Sequence, residues 1–394
     1  MAKSNIVIQF ICYSPRIYSG FDKYNLELAK ILNKNGFQSV FVFSNSIEVK
    51  EITDDLLSED VIIELISTKN KSTILRDVVK LFLKYRPVIV HSHFENYIQF
   101  ITMLLSLIFG SKFFISFHST ISLLTKDEYR EKKGVIKQIL LRIYYRILII
   151  ASNKVLCISK AIKNQFNLFS GSDSAKIQYL YLGVKLQPNK SFKNNLRSLL
   201  SLPQDKILLC NVSAIEHIKG LDILIDAVKI LKTEYCISNF LLCHIGGLRA
   251  ENEKNEIYRE NLFRKVKELQ LEKDLLWLGQ RNDVDKILSA FDVFVHPSRI
   301  EGLGVAIMEA CVQSLPVVGT KVGGIPEIIF HNNNGFLFTP ESAEELASYL
   351  SILIKDESVR KQMGKESFRI VEELFNIKKQ TELLANLYFS SFKI

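Results

Sequence analysis

Apolar residues in this chain follow two alternating patterns. Short unbroken runs rich in Val, Ile and Phe alternate with longer stretches where apolar positions recur every three or four residues. The unbroken runs lack the polar alternation of a half-solvated sheet, so they read as strands buried on both faces; the recurring positions read as covering helices. In the first half the strands are IVIQFICY (6–13), QSVFVFS (38–44), PVIVHSH (87–93), KFFISFH (112–118) and KVLCIS (154–159). Helical patterns lie between them at 23–36, 74–84 and 98–109, then in a basic stretch ending at Arg146, with another at 160–169. A second series starts at KILLCNVS (206–213) and continues through NFLLCHIG (239–246), LLWLGQ (275–280), DVFVHPS (292–298), PVVGT (316–320) and GFLF (335–338). The tail from Ser342 reads as three helices. Strand–helix alternation of this kind predicts an α/β protein built on parallel sheets.

Between the two series the chain turns polar and gains prolines, LGVKLQPNKSFKNNLRSLLSLPQDK, which places a linker between Gly183 and Lys206. The predicted domains are residues 1–185 and 190–375, each doubly wound, facing each other across a cleft at the carboxyl ends of their strands. The chain's 394 residues and 47% hydrophobic content suit two such cores, not a disordered or fibrous protein.

The most informative stretch is EGLGVAIME (301–309), directly after the strand DVFVHPS. A strand end, a glycine turn (Gly302, Leu303, Gly304) and a new helix N-terminus at Val305 form an anion site. Glu301 before the helix and Glu309 inside it supply acids to read hydroxyls, so the expected ligand carries phosphate and polyhydroxyl parts. A second strand–loop–helix junction, NVSAIEHIKG, brings Lys219 near a helix N-terminus, where a cation belongs only if an anion sits between them. It lacks GxxxxGK[ST], which excludes a P-loop ATPase or kinase site, and the first-half turn SPRIYSGFDKY is not GxGxxG, which leaves a nicotinamide-binding domain little support. Gly20 in that turn serves either a positive φ or backbone amides aimed at a ligand.

Among seven histidines, His118 ends an apolar strand and can donate to ligand oxygen or act in proton transfer. His91 and His93 read as support for the first-half loop, and His296 as loop support near the ligand. Asp283 and Asp285 have a spacing that could hold a divalent ion, but Asp283 just before VDKILSAF reads as a helix cap. No metal or cofactor is expected.

Charge adds one further feature. The formal net charge is +9, and between Lys126 and Arg146 seven Lys/Arg face three Asp/Glu. In VIKQILLRIYYRILII, apolar Ile136, Ile139, Leu140, Ile143 and Ile147 accompany Lys137, Arg142 and Arg146. Two readings stay open: a helix lying on an anionic membrane surface, or a domain helix with a solvated basic side. No zinc-finger, RNP, KH or basic-zipper pattern supports nucleic acid as a partner. The longest apolar run, 98–109, is too short to span a bilayer. Six cysteines form no CxxC pair and read as reduced thiols, and the N-terminus shows no leader pattern; both favour the cytoplasm.

The blocks SGFDKYNLELAKIL, FFISFHST, KVLCIS, HIKGLDILIDAVKIL and, most strongly, DVFVHPSRIEGLGVAIMEACVQSLPVVGTKVGGIPEII, in this order along the chain, resemble the retaining GT-B glycosyltransferases of the glycogen-synthase-like and sucrose-synthase-like group, family 4. The resemblance implies two Rossmann-like domains, with residues 376–394 returning to the first. It implies a nucleotide diphosphate sugar donor held by the second domain, and a glycan or lipid-linked acceptor held by the first. Glu301 then matches the acid that contacts donor-sugar hydroxyls, and Glu309 the acid on the nucleotide ribose. Lys219 matches the diphosphate lysine, His118 the histidine near the donor sugar, and Gly20 the glycine of the first-half turn. Two positions depart from the pattern. Ser19 stands where a second glycine is common, and Ser213 and Ala214 stand where an arginine usually clamps the diphosphate; Arg299 and Lys321 are the candidate replacements. That departure keeps a catalytically inactive nucleotide-sugar-binding subunit as an alternative, with a nonhydrolysing sugar-nucleotide epimerase behind it.

Overall fold

A computed structural model describes residues 5–11, 20–45, 60–93, 97–119, 135–189, 193–248 and 252–392. The chain divides into two compact units, residues 1–183 with 377–394, and residues 184–376.

In the first unit the elements run β1 (Asn5–Phe10), α1 (Gly20–Lys34), β2 (Phe37–Ser44), β3 (Ile62–Ile66), α2 (Lys71–Tyr85), β4 (Ile89–His93), α3 (Tyr97–Phe109), β5 (Lys112–Phe117), α4 (Val135–Ala151), β6 (Lys154–Cys157), α5 (Lys160–Ser170) and β7 (Ile177–Tyr179). All strands are parallel, in the order β3-β2-β1-β4-β5-β6-β7. The unbroken apolar runs occupy the middle of this sheet, where helices cover both faces: Val7, Ile8, Val40, Phe41 and Val90 have no exposed surface. Two strands escape the hydropathy pattern. In β3, Glu64 interrupts the apolar run and Leu65 is 49% exposed at the sheet edge; β7 is three residues long at the other edge. Edge strands need only one buried face, so their sequences look like loop.

The second unit contains α6 (Lys193–Leu199), β8 (Ile207–Val212), α7 (Leu221–Thr233), β9 (Phe240–Ile245), α8 (Glu253–Glu268), β10 (Leu275–Trp277), α9 (Val284–Ile287), β11 (Val293–His296), α10 (Val305–Val312), β12 (Val317–Thr320), β13 (Gly335–Phe338), α11 (Ala343–Lys355) and α12 (Glu357–Leu374). Its parallel sheet has the order β10-β9-β8-β11-β12-β13. Leu209, Leu242, Val293, Val295 and Val318 of the sheet pack with Leu224, Val228 and Leu231 of α7 and Leu346, Leu350 and Leu353 of α11. Helix starts are set by short polar caps: Ser342 accepts from the Glu345 amide and Asp356 from the Val359 amide. The last helix, α13 (Ile377–Ser390), belongs to the first unit, where its fully buried Tyr388 meets His91 of β4. Both sheets are therefore of the doubly wound, Rossmann-like type, with strand order reversing between β1 and β4 and between β8 and β11.

The expected linker between Gly183 and Lys206 needs correction. The second unit begins at Val184, and the polar stretch after it carries α6. Arg197 of α6 is buried: its Nη2 donates to Asp292 at 2.6 Å, its Nε to the Ala290 carbonyl at 2.9 Å, and Lys193 reaches the same Asp292 at 2.6 Å. Polar composition here reflects an ion-paired helix under the sheet, not a solvated connector. Asp283 also departs from its reading. It occupies the position before α9, yet its carboxylate makes no cap bond and instead takes Nε and Nη2 of Arg281, each at 2.8 Å.

Candidate functional site

At the strand reversal of the second unit, the chains leaving β8 and β11 supply the principal groups. Leaving β8, it reaches a single 3-10 turn, His217–Lys219, then Gly220 at φ +67°, then α7. A Cβ on Gly220 would lie 2.0 Å from the Pro297 carbonyl oxygen, so only glycine lets this turn close against the segment leaving β11. That approach is tied by the Arg299 amide, which donates to the Ile218 carbonyl at 2.8 Å. From the other side, Gly323 after β12 has φ +50°, and a Cβ there would lie 1.8 Å from the Glu301 carbonyl oxygen. Backbone contacts thus fix Lys219 and Glu301 before their side chains meet.

Lys219 Nζ donates to Glu301 Oε2 at 2.8 Å, His296 Nε2 lies 2.9 Å from the same oxygen, and the Gly302 amide donates to Oε1 at 3.2 Å. Ser298 Oγ stands 3.0 Å from His296 Nε2. Burial works against a charged Glu301, but the Lys219 ammonium and the His296 contact outweigh it and hold the carboxyl well below the usual carboxylate range. The site therefore presents an ionised acid and a cation already compensating each other, directly before α10. Gly302, Leu303 and Gly304 are buried, Gly304 sits at φ +104° before the helix, and Val305 opens it. Glu301 precedes α10 and Glu309 lies within it, half-buried. An α-helix N-terminus and two acids in one loop–helix segment, met by the ammonium of the turn leaving β8, suit a ligand with an anionic part and a hydroxyl-rich part.

Arg299 is not placed as a phosphate clamp. Its Nη1 and Nη2 bind the Asp222 carboxylate at 2.8 and 2.7 Å, its Nε and Nη2 bind Glu341 at 2.7 and 2.8 Å, and Nη1 also reaches the His217 carbonyl at 2.8 Å. All five guanidinium donors are engaged in joining the 217–222 and 341 segments to the loop after β11. Burial opposes ionisation of Asp222, yet Arg299 and the Tyr258 hydroxyl hold its carboxyl at about 2. Replacing Arg299 with Met should therefore destabilise the second unit by roughly 2–4 kcal/mol, because a partly buried carboxylate loses its main partner. Calorimetric melting checks this; unchanged melting with lost affinity for a nucleoside diphosphate would restore the clamp. Lys321, the other candidate, is exposed after β12, its amide donating to the Phe338 carbonyl at 2.8 Å.

In the first unit, His118 follows β5 and is half-buried. His93 Nδ1 lies 3.1 Å from His118 Nε2, and His93 Nε2 lies 3.2 Å from Gln9 Oε1. Phe21 sets its ring edge-on to both histidines, 5.1 Å from His93 and 4.6 Å from His118. Burial lowers the His118 imidazole to about 3, so it is neutral at physiological pH and suited to hydrogen bonding. Gln9 of β1, His93 of β4 and His118 just after β5 come together from three neighbouring strands at the reversal point. Gly20 is the first residue of α1 and half-buried; the turn before it, with Ser19, lies outside the described residues. Hydropathy alone did not flag Gln9, nor the His296–Glu301 contact, although His296 ends a strand five positions before Glu301.

Two family models account for most of the chain: "Glycosyltransferase Family 4" over residues 18–188 and "Glycosyl transferases group 1" over residues 192–369. Among characterised relatives, N-acetyl-alpha-D-glucosaminyl L-malate synthase of Bacillus anthracis is 31% identical over 183 residues, covering 40% of this chain and 48% of the relative. The Escherichia coli UDP-Gal:alpha-D-GlcNAc-diphosphoundecaprenol alpha-1,3-galactosyltransferase is 27% identical over 221 residues, covering 55% and 54%. The matched part thus spans about half the length of these relatives. Among solved structures, Anabaena HepE in complex with UDP and glucose superposes with a TM-score of 0.81 at 21% identity, covering 98% of this chain and 99% of that one. With both of its units matched in the expected order, the chain belongs to the GT-B glycosyltransferases of the family 4 type.

Proposed function

We propose that this protein is a retaining glycosyltransferase. It moves a sugar from a nucleotide diphosphate sugar, a UDP-hexose or UDP-N-acetylhexosamine, to a hydroxyl of a glycan or lipid-linked glycan in cell-surface polysaccharide biosynthesis. The observation that carries this reading is the meeting of Lys219 and Glu301 at 2.8 Å in front of α10. As the anomeric bond breaks, its electron pair passes to the diphosphate, and Lys219 with the helix N-terminus stabilises that charge. The acceptor oxygen attacks from the leaving-group face, and its proton passes to a donor phosphate oxygen, so no protein nucleophile is required. Glu301 accepts from donor-sugar hydroxyls, Glu309 from the ribose, and neutral His118 positions the donor. The work is done in the cytoplasm at the inner face of the membrane, with an anionic lipid surface as peripheral partner. The names of the relatives support the class: the Escherichia coli enzyme is a galactosyltransferase on a diphosphoundecaprenol-linked sugar, and a Staphylococcus aureus relative is a capsular polysaccharide glycosyltransferase.

The chemistry is proposed to run without a metal, so exhaustive chelation leaves transfer unchanged. A mass-spectrometric screen of nucleotide sugars against sugar and lipid-linked acceptors tests the whole reading. Donor consumption that depends on acceptor supports it, and tight donor binding without turnover would move the protein to the second reading. That second reading, a binding subunit, is favoured by one observation: Ser213 and Ala214 replace the usual clamp arginine, and Arg299 is committed elsewhere.

The two acids separate by ligand. Glu309→Gln should weaken a nucleoside diphosphate and the complete donor alike, by roughly tenfold each, whereas Glu301→Gln should penalise mainly the sugar-bearing ligand. Titration calorimetry with both ligands reads this, and equal losses for both variants on both ligands would erase the distinction.

A further inference from the structure

The first unit carries two helices whose apolar stripes point outward. In α4 the core contacts come from Tyr145, Leu148 and Ile149, whereas Ile139, Leu140, Ile143, Ile147 and Ile150 are 48–76% exposed. In α3, Ile98, Ile101 and Met103 are buried, whereas Leu104, Leu107 and Ile108 are 41–75% exposed. The two helices touch: Tyr144 of α4 donates to Gln99 of α3 at 3.1 Å, and its ring lies 6.3 Å from that of Phe100. Two helices in contact thus each leave a run of apolar side chains exposed, unlike the singly scattered apolar residues of an ordinary surface. As a domain helix with a solvated basic side, α4 packs through Tyr145, Leu148 and Ile149 and exposes Arg142 and Arg146, and in addition its apolar stripe faces away from the core.

The stripe of α4 covers an arc of about 100°, and Arg142 and Arg146, both exposed, lie along one flank of it at 100° per residue. No residue of α3 is charged. At 1.5 Å per residue, α3 is about 20 Å long, short of a roughly 30 Å hydrocarbon core, and no described helix is long and apolar enough to cross a membrane. An apolar stripe with an arginine flank, on a chain of net charge +9, matches an interface where acyl chains lie beneath anionic headgroups. We propose that the outward faces of α3 and α4 seat the protein on an anionic lipid bilayer. Leu107, Ile108 and the α4 stripe enter the headgroup–acyl boundary, while Arg142 meets lipid phosphates and Arg146, whose Nε donates to the Ser170 carbonyl at 3.0 Å, adds positive charge beside it. This deepens the membrane-side part of the proposed function by assigning its surface. Lys132 and Lys133 of the basic segment lie outside the described residues.

Flotation of the full chain tests it, using phosphatidylcholine vesicles with and without about one-third phosphatidylglycerol. The native protein should float with the anionic vesicles. Leu107→Ser with Ile108→Ser should cut partitioning by at least about tenfold at every salt concentration. Arg142→Glu should cut it mainly at low salt. Thermal melting controls for folding, which these exposed positions should leave intact. A native protein that does not float, or a double variant that floats equally well, overturns the proposal. Loss of a dimer in the double variant, without flotation of the native chain, would give the face to a second copy. Transfer to a short water-soluble acceptor separates this outcome from the proposed chemistry: the double variant should keep that rate, while absence of transfer in the native chain would count against the transferase reading alone.

Discussion

Replacing Lys219 with Ala is expected to lower the rate of sugar transfer by roughly 10²–10³-fold, the scale seen when one charge-stabilising donor is removed from a developing oxyanion. The geometry makes this loss larger than that of a surface lysine. Lys219 is 17% exposed and Glu301 15%, and they share one carboxylate oxygen with His296. With the ammonium removed, two effects follow. The leaving diphosphate loses a cation, and Glu301 loses its main compensating charge, so its carboxyl moves up from its depressed range. The second effect also costs folding stability, roughly 2–3 kcal/mol, since one member of a mostly buried pair is left behind. Lys219→Ala combined with Glu301→Gln separates them. The double variant should regain the stability and none of the transfer, because neutralising the acid repairs the pair without replacing the cation. Single-turnover kinetics and melting of the three variants provide the cycle, and wild-type transfer by Lys219→Ala would remove the lysine from the mechanism.

Much of the frame was legible because buried parallel strands need unbroken apolar runs, and both central sheets show them in the sequence. The loop from Glu301 to Val305 was legible for a related reason: a glycine turn between a strand and a helix leaves few alternatives. What hydropathy missed involves partners distant along the chain. Arg299 looks like an available cation beside a glycine loop until Asp222, 77 positions earlier, and Glu341, 42 later, engage it. Polar residues 193–199 read as linker because nothing local shows that Arg197 inserts under Asp292. Periodicity told that α4 has an apolar stripe but not which way it faces, since core and lipid demand the same residues. Gln9 sits inside the apolar run of β1 without a local signal, because its partner His93 arrives from β4.

That histidine cluster should also make the first unit sensitive to acid. His91 is fully buried, held between Ser116 Oγ at 2.8 Å and the Tyr388 hydroxyl of α13, and burial, with a smaller effect of His118, lowers its imidazole to about 3. His93, 2% exposed, is lowered well below its ordinary value by burial and then by its two histidine neighbours. Both rings are therefore neutral in the folded protein across the physiological range, while the unfolded chain takes up protons near pH 6.5. A folded-state value below the unfolded one means stability is fully present above about pH 6.5 and falls as the pH drops toward the folded value. Each ring whose folded value stays below the ambient pH costs about 1.4 kcal/mol per pH unit, so His91 alone costs roughly 3 kcal/mol near pH 4.5, and His93 shifts stability in the same direction. The second unit has one histidine lowered to the same degree, His244, and should lose stability less steeply. Trp277, the chain's single tryptophan, lies in β10, so indole fluorescence follows the second unit and not this event. Hydrogen exchange of the β4 and β5 amides between pH 8 and 5 reads it directly. Protection there should fall steeply below pH 6.5, and His91→Gln, which keeps a polar side chain without the titration, should flatten the slope by about 1.4 kcal/mol per pH unit. A β4–β5 stability that stays level down to pH 5 would mean the cluster is charged, or open to water, in the folded protein.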